Sequence, residues 1–242
     1  MALAWARHAW VAVLLAVASA SPAARAEGLL LVTEDNPPYN FADPNAPGRI
    51  GGFVAEIVAL TMERAGVPYT TEMLPWEEAY AKAQAQPGTC VYGISQSPER
   101  LPLFRWVGPL AEGQFAIFGK ADRSPIASLE ELRGARIGVQ ANGPFERLLR
   151  ERGFAVTATT KEALFPLLRD GGIDFVALGL RNGRWFARQA KVPIRVLMRM
   201  LGPQLALACH PETDPALLAR MNAALGDLHA DGTAGRILAR YE

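Results

Sequence analysis

The apolar positions form two similar series along the chain, and each series predicts alternating strands and helices. The first covers 29–32, 53–65, 69–74, 76–86 and 90–94, with helices at the second and fourth of these segments and strands at the others. In the first helix Phe53, Ile57 and Leu60 share one face, as the helical period of about 3.6 residues requires. Gly66 followed by Pro68 ends this helix.

The second series repeats the pattern. It covers 136–140, the stretch around Phe145 and Leu149, 154–159, 161–169 and 174–179. Pro166 lies inside the predicted 161–169 helix and predicts a kink or an early end. Helices between consecutive strands imply parallel pairing, so we expect an α/β fold with two lobes, each a mainly parallel sheet flanked by helices.

Further segments connect the two series and follow the second. Strands are predicted at 115–118, 194–198 and 205–209, and Ser128 with Glu131 fits a helix capping box. The chain from residue 215 onward predicts helices, interrupted near Asp231. Two lobes joined by short crossings predict a cleft between them.

The first 26 residues predict a secretory signal peptide. The apolar run at 11–18 follows Arg7 and is far shorter than the roughly 20 residues of a membrane span. Ala24-Arg25-Ala26 fits the site of a signal peptidase, so we expect cleavage after Ala26 and a periplasmic product that does not itself span a membrane. The alternative is an N-terminal anchor.

Charge and composition exclude several functional classes. The 25 Lys and Arg residues nearly balance the 24 Asp and Glu residues, so no net field favours nucleic acid or an anionic membrane surface. With 3 His and 2 Cys residues, the chain offers little for a zinc site, and no cofactor is predicted. The sequence lacks the common phosphate-loop, metalloprotease and serine-hydrolase motifs, which favours a binding protein over an enzyme.

Six segments in a fixed order carry a resemblance to a known family. They are 37–41 (PPYNF), 52–57 (GFVAEI), 93–100 (GISQSPER), 128–139 (SLEELRGARIGV), 171–174 (GGID) and 231–238 (DGTAGRIL). Together they resemble the extracytoplasmic solute-binding proteins of family 3, which serve polar amino acid ABC transporters.

The resemblance implies a type II periplasmic-binding-protein fold. Lobe one would comprise 27–111 and 204–242, lobe two would comprise 112–203, and the lobes would close on a ligand in the cleft. The small-molecule ligand would be a polar or anionic solute, such as an amino acid or an organic acid. The partner would be an inner-membrane ABC permease, and we expect the binding protein to be a monomer.

In the first lobe Arg100 is the leading candidate for ligand binding. It follows Ser95 just after a predicted parallel strand, where ligands of open α/β sheets bind. The resemblance implies that Ser95 and Arg100 hold a carboxylate of the ligand; the alternative is a surface arginine paired with Glu99. The resemblance implies that Trp76 forms an aromatic wall of the cleft; the alternative is that Trp76 is a core residue. The other first-lobe candidates are Asn36, Tyr39 and Gly93, whereas Phe41 is expected in the core.

The second lobe departs from the family pattern in the turn after its first strand. Asn142, Gly143 and Pro144 stand where the family has a Gly-Thr-Thr-like turn, so two hydroxyls are missing. The backbone N–H groups of Asn142 and Gly143 remain candidate donors to an anion, whereas Pro144 has none. Arg181 and Asn182 follow the last strand of the second series and could point into the cleft; the alternative for Arg181 is a solvated surface arginine.

A second departure concerns the ligand's amine. The family's amine-binding aspartate falls at Gly179 in this sequence. Either another acid substitutes (Glu34, Asp35 or Glu112), or the ligand lacks an α-amine.

Two other functions stay open. An exported enzyme of the same fold, such as a cyclohexadienyl dehydratase, needs a proton donor in the cleft, and the suited position is again Gly179. A ligand-sensing module is not distinguished from a transport protein by the sequence.

Cys90 and Cys209 form a candidate structural disulfide. Export places both in an oxidising compartment. The resemblance implies that their strands are antiparallel neighbours and that both residues lie far from the ligand. Opposed Cβ atoms are about 4.5–5.5 Å apart and a disulfide prefers about 3.8 Å, so two separate buried thiols are the alternative.

Overall fold

Two α/β lobes, each built on a five-stranded sheet, make up residues 28–241, the part of the chain that the computed structural model describes. The predicted signal peptide and its cleavage site lie outside these residues. No helix of the described part has both the length and the apolarity that a bilayer crossing needs.

In chain order the strands are β1 (Leu29–Thr33), β2 (Phe41–Ala42), β3 (Ile50–Gly51), β4 (Tyr69–Met73), β5 (Thr89–Ser95), β6 (Arg105–Ala111), β7 (Gln114–Lys120), β8 (Ile137–Gln140), β9 (Val156–Thr159), β10 (Phe175–Gly179), β11 (Ile194–Leu201) and β12 (Leu205–Cys209). The helices are α1 (Phe53–Ala65), α2 (Trp76–Ala85), α3 (Pro144–Glu151), α4 (Lys161–Arg169), α5 (Leu180–Gln189), α6 (Pro215–Ala230) and α7 (Thr233–Ala239).

The first lobe is organised around a sheet with the order β4-β1-β5-β12-β6. Strand β1 pairs in parallel with β4 and β5, whereas β12 runs antiparallel to β5 and β6. Helices α1, α6 and α7 cover one face, where Phe53, Ile57 and Met62 are completely buried. Helix α2 covers the other face through Ala79 and Ala83.

The second lobe is organised around a sheet with the order β11-β7-β10-β8-β9. Strand β8 pairs in parallel with β9 and β10, and β7 runs antiparallel to β10 and β11. Helices α4 and α5 bury one face and α3 buries the other. The predicted two-lobed α/β fold is therefore confirmed.

Helices α4 and α5 depart from the sequence predictions for identifiable reasons. Helix α4 runs past Pro166 to Arg169, so the early end does not occur; the missing N–H removes only one backbone bond of the helix. Helix α5 was not predicted, because its sequence is mostly polar and contains Gly183. A Cβ atom at Gly183 would lie 2.2 Å from the Phe118 ring, so the glycine lets this helix approach β7 closely.

The two crossings between the lobes lie side by side. The first joins β6 to β7, and the second joins β11 to β12. The Gly202 N–H donates to the Gly113 carbonyl over 2.9 Å, and a Cβ atom at Gly113 would lie 2.0 Å from the Pro203 carbonyl oxygen. The Gln204 side chain donates to Glu112 over 2.9 Å. The close approach of the crossings thus depends on a residue without a side chain.

A disulfide joins the two antiparallel strands at the centre of the first sheet. Cys90 of β5 and Cys209 of β12 are directly opposed, with Cα atoms 3.9 Å apart and an S–S distance of 2.11 Å. Cys90 lies near the start of β5 and Cys209 at the end of β12, which is the end of the sheet away from the crossings and the cleft. Both residues are completely buried.

Candidate functional site

A cleft of about 1220 Å³ lies between the lobes, at the carboxyl ends of the parallel strands. The first lobe lines it with the loop after β1, the start of α2 and the end of β5. The second lobe lines it with the turn after β8, the start of α4 and the junction of β10 with α5. Its walls contain the sequence candidates Asn36, Tyr39, Trp76, Gly93, Ser95, Arg100, Asn142 and Gly143.

The Arg100 guanidinium lies against two aromatic rings on the first-lobe wall. Its central carbon is 5.3 Å from the centroid of Trp76 and 5.5 Å from that of Tyr80, and Nη1 donates to the Ser95 carbonyl over 3.3 Å. No ion pair joins Arg100 to Glu99 in the described part of the chain; a hydrogen bond from Ser97 is the main cause that lowers the pKa of Glu99. The rings fix the plane of the guanidinium by cation–π contact.

The aromatic wall follows from the spacing of residues in α2. Trp76 is the first residue of the helix, and Tyr80 lies one turn later on the same side, with ring centroids 5.5 Å apart. Tyr80 also packs edge-on against Phe104. The sequence prediction named Trp76 and missed Tyr80, although the spacing of four residues on a helix was the signal that could have found it.

Gly93 contributes to the site because its lack of a side chain leaves room for the Asn40 side chain. Its φ is +77°, and a Cβ atom there would lie 2.6 Å from Asn40 Oδ1. Buried Asn40 in turn donates through Nδ2 to the Glu34 carbonyl over 2.5 Å. Gly93 therefore allows Asn40 to hold the loop that carries Glu34 and Asn36.

A polar cluster bridges the lobes at one side of the cleft. Lys161, the first residue of α4, donates through Nζ to Asn36 Oδ1 over 2.7 Å. Asn182 of α5 donates through Nδ2 to the same oxygen over 3.1 Å and to the Pro37 carbonyl over 2.7 Å. Asn182, expected with Arg181 as a residue that could point into the cleft, lines it. The sequence prediction missed Lys161 as a cleft residue; its position after the parallel strand β9 was the available signal.

Glu34 and Lys161 are ionisable groups of opposite sign in this cluster, and burial shifts both. Desolvation raises the pKa of Glu34, and the charge of Lys161 opposes that shift. Desolvation lowers the pKa of Lys161, and Glu34 opposes that shift most strongly, followed by Glu162 and Asp35. Each group is thus the main electrostatic partner of the other.

Tyr39 and Gly179 meet where the lobes approach. The Tyr39 ring is buried beside Phe53, with centroids 4.9 Å apart, and burial raises the pKa of Tyr39 to about 12, so its hydroxyl stays protonated. A Cβ atom at Gly179 would lie 3.3 Å from the Tyr39 hydroxyl and 2.8 Å from Asn182 Oδ1. A larger residue at position 179 would have to displace these groups.

The turn after β8 uses its own N–H groups. The Asn142 N–H donates to Glu146 over 2.7 Å, and the Gly143 N–H donates to the Gln140 carbonyl over 3.1 Å. Asn142 adopts a positive φ of 58°. The structure brings both candidates to the cleft wall but engages their backbone donors within the turn.

Arg181 does not line the cleft. Only 6% of it is exposed, so the prediction of a solvated surface arginine is wrong. Its guanidinium carbon lies 5.2 Å from the Phe53 centroid, and Nη1 lies 3.5 Å from the Glu112 carbonyl oxygen near the crossing. Phe41, expected in the core, is half-buried and packs against Trp185 of the second lobe, with centroids 5.3 Å apart.

The order of lobes and crossings agrees with a match over almost the whole chain. The model of the bacterial extracellular solute-binding proteins, family 3, matches residues 29–242. The chain belongs to this family. The family is extracytoplasmic and binds solutes, which agrees with an open cleft lined by both lobes. No curated protein sequence matches the chain.

Solved structures similar to this family member include sensors and binding proteins. A histidine kinase sensor domain similar to periplasmic binding proteins is 26% identical, with a TM-score of 0.73 over 89% of this chain and 96% of that one. An ancestral arginine-binding protein bound to glutamine is 24% identical, with a TM-score of 0.70 over 88% and 97%. An arginine-, lysine- and histidine-binding protein from Geobacillus stearothermophilus is 20% identical, with a TM-score of 0.69 over 89% and 95%. The last two likenesses concern the fold alone.

Proposed function

We propose that the protein is a periplasmic binding protein that captures a small polar or anionic solute through a carboxylate group and delivers it to an inner-membrane ABC permease. The observation that carries the proposal is the Arg100 guanidinium, held on Trp76 and Tyr80 at the wall of the cleft. Its plane is set before the ligand arrives, so little side-chain entropy is lost on binding.

The chemistry of Arg100 favours a carboxylate. A guanidinium has five N–H donors, and within the described residues the only side-chain hydrogen bond from Arg100 is the one to Ser95. A planar carboxylate fits the remaining fork, and each charged hydrogen bond contributes about 1.5–3 kcal/mol. The Ser95 hydroxyl, on the same wall, is the proposed second donor.

We propose that binding closes the lobes, with 27–111 and 204–242 moving as one body and 112–203 as the other. The side-by-side crossings and their bonded glycines support rotation about this point. Small-angle scattering should give a smaller radius of gyration with saturating ligand, and an unchanged profile would contradict closure.

The partner and compartment follow from the predicted signal peptide and the family. We propose cleavage after Ala26, export to the periplasm and a monomeric binding protein that serves a permease. The likeness to a histidine kinase sensor domain favours a second candidate, a ligand-sensing module. Deleting the gene should abolish uptake of the solute in the first case; in the second, uptake persists and a transcriptional response to the solute is lost.

We further propose binding without catalysis. The family and its structural neighbours are mostly binding proteins. Position 179, suited to a proton donor in an enzyme of this fold, is a glycine packed against Tyr39 and Asn182. Turnover of prephenate or arogenate by the purified protein would overturn this.

The decisive experiment is a thermal-shift and calorimetric screen of the protein from Glu27 onward. The panel contains the amino acids, the matching 2-oxo acids, dicarboxylates and amines. A ligand at 100 times its Kd should stabilise the protein by about 2.7 kcal/mol. Arg100→Ala should weaken that ligand at least about 100-fold, from two charged hydrogen bonds lost.

The matched control is Arg169→Ala, because Arg169 is exposed and pairs only with its neighbour Asp170 among the described residues. Affinity should be unchanged in this variant. Near-native affinity of Arg100→Ala, with Arg169→Ala also unchanged, would contradict the carboxylate site.

A further inference from the structure

The second lobe places an ammonium group inside the cleft. Lys161 is half-buried, and its Nζ donates across the cleft to Asn36 and lies 5.9 Å from the centroid of Phe186. Asn182 donates to the same Asn36 oxygen, so that acceptor already has two donors. The side chain is therefore fixed at a defined point between the lobes.

The fold by itself does not favour a lysine at this position. Lys161 is the first residue of α4, where the positive end of the helix dipole disfavours a cation. Burial disfavours the charged form as well and lowers the pKa of Lys161. A residue that is unfavourable both for its helix and for its environment is better explained by what it does in the cleft.

Four acids are among the described residues that line the cleft, and none of them is a buried carboxylate without a cationic neighbour. Glu146 accepts from the Asn142 N–H and pairs with Arg150. Glu77 and Glu99 are exposed to solvent. Glu34 is the remaining carboxylate among the described cleft-lining residues, and Lys161 is its main electrostatic partner.

The other two acids that could take the role of the family's amine-binding aspartate, whose position is occupied by Gly179, lie outside the described lining of the cleft. Asp35 is exposed and does not line the cleft. Glu112 is exposed at the crossing and accepts from Gln204. Next to Gly179 itself the near groups are the protonated Tyr39 hydroxyl and the Asn182 amide, neither of which is charged.

We infer that Lys161 determines specificity: its ammonium group, bonded to Asn36 in the cleft lining, selects carboxylates without an ammonium group, such as 2-oxo and 2-hydroxy acids, over amino acids. The inference rests on the proposed function, because it requires that Arg100 binds the carboxylate. An α-ammonium group on the ligand would enter a cleft whose partly buried carboxylate, Glu34, already has a cation of the protein as its main electrostatic partner.

The test compares matched ligands that differ at one carbon. Calorimetry is performed with pyruvate and L-alanine, 2-oxoglutarate and L-glutamate, 4-methyl-2-oxopentanoate and L-leucine, and phenylpyruvate and L-phenylalanine. In the best-binding pair the 2-oxo acid should bind at least tenfold more tightly than the amino acid. Lys161→Met leaves Glu34 facing the cleft and should reduce this ratio at least tenfold, with tighter binding of the amino acid.

Two control variants separate charge from structure. Lys161→Arg keeps the positive charge and should keep the preference for the 2-oxo acid. Lys120→Met removes an exposed lysine at the end of β7, outside the cleft lining, and should change neither affinity.

Each outcome decides one claim. If amino acids bind as tightly as their 2-oxo acids, or more tightly, the inference is wrong and the proposed function stands. If the preference is present but Lys161→Met leaves it unchanged, the role of Lys161 is wrong. If no carboxylate of any pair binds, the proposed carboxylate site is wrong and the inference falls with it.

Discussion

The two cations of the proposals, Arg100 and Lys161, lie on opposite walls of the cleft and are held by different means. Arg100 lies on Trp76 and Tyr80 and contacts groups of its own lobe. Lys161 is held by a bond that spans the lobes, to Asn36. The contacts of Arg100 thus lie within one lobe, whereas the hydrogen bond of Lys161 joins the two lobes.

The lobes differ in the same way behind their walls. The sheet under Arg100 is cross-linked between its central strands by the disulfide, and the sheet under Lys161 contains no cysteine. Under the two proposals above, the first lobe provides affinity, and the second lobe provides selectivity and responds to closure. The predictions below alter the first lobe, the crossings and contacts between the lobes, and the second lobe separately.

Removing the disulfide should have the largest effect and should act on the first lobe. In the Cys90→Ala/Cys209→Ala variant the free energy of unfolding should fall by about 3–5 kcal/mol, because the bond links residues 119 apart and restricts the unfolded chain. Urea denaturation with and without reductant measures the change. Ligand affinity should stay within about twofold, since the bond lies at the end of the sheet away from the cleft; a stability loss below about 1 kcal/mol would contradict the bracing of this lobe.

A side chain at the crossing should have the next largest effect and should act on both lobes. Gly113→Ala introduces a Cβ atom 2.0 Å from the Pro203 carbonyl oxygen, so the crossings must separate, at a cost of about 1–3 kcal/mol. Thermal denaturation measures the stability, and scattering measures the separation of the lobes.

Gly226→Ala in α6 is the matched control, because a Cβ atom there meets nothing within 4 Å. This variant should be stabilised by about 0.5–1 kcal/mol through helix propensity. If both substitutions behaved alike, the close approach at Gly113 would have no energetic consequence.

The sequence predicted the elements with strong apolar periodicity and missed those defined by close contact. The predicted helix over 53–65 coincides with α1, because apolar residues and the stop at Gly66 agree there. Helix α5 was missed because its sequence is mostly polar and contains Gly183, whose lack of a side chain lets the helix pack closely against β7.

The candidate site shows the same division. Arg100 and Trp76 were predicted as cleft residues from their positions after a strand and at the start of a helix, and both line the cleft. The contacts of Lys161 and Asn182 with Asn36, and the buried position of Arg181, could not be predicted, because they depend on how the two lobes approach each other. The local sequence indicates which residues lie on each wall of the cleft, whereas the contacts between the walls depend on how both lobes are arranged.

The aromatic contact between the lobes tests closure more finely. Phe41 of the first lobe packs against Trp185 of the second. A double-mutant cycle with Phe41→Ala and Trp185→Ala should give a coupling of about 0.5–1.5 kcal/mol in ligand binding. Calorimetry on the four proteins provides the measurement, and additive effects would show that this contact does not contribute to closure.

The smallest expected effect is on the free energy of unfolding, which we expect the partly buried Lys161 to lower. Burial lowers the pKa of Lys161 below its usual 10.5, so between the lowered pKa and 10.5 the unfolded chain holds more protons than the folded protein. Stability of the native sequence should therefore rise with pH through that window, and Lys161→Met should remove this rise. At pH 7 the variant should be more stable by about 0.3–1 kcal/mol, from relief of the unfavourable helix dipole alone.

Acidic groups around Lys161 oppose the effect of burial on its pKa, and the measurement therefore needs a control lysine. Glu34, Glu162 and Asp35 favour the charged lysine and oppose the effect of burial, so the net direction tests whether desolvation prevails in the cleft. Urea denaturation of the native sequence, Lys161→Met and Lys120→Met at a series of pH values from 7 to the alkaline limit gives the three curves. The native and Lys120→Met curves should run parallel, and the gap to Lys161→Met should narrow as pH rises. If the difference in stability instead widened with pH, the nearby acids would raise the pKa of Lys161 more than burial lowers it. Lys161 would then be stabilised by the surrounding carboxylates, as Arg100 is by its contacts with Trp76 and Tyr80.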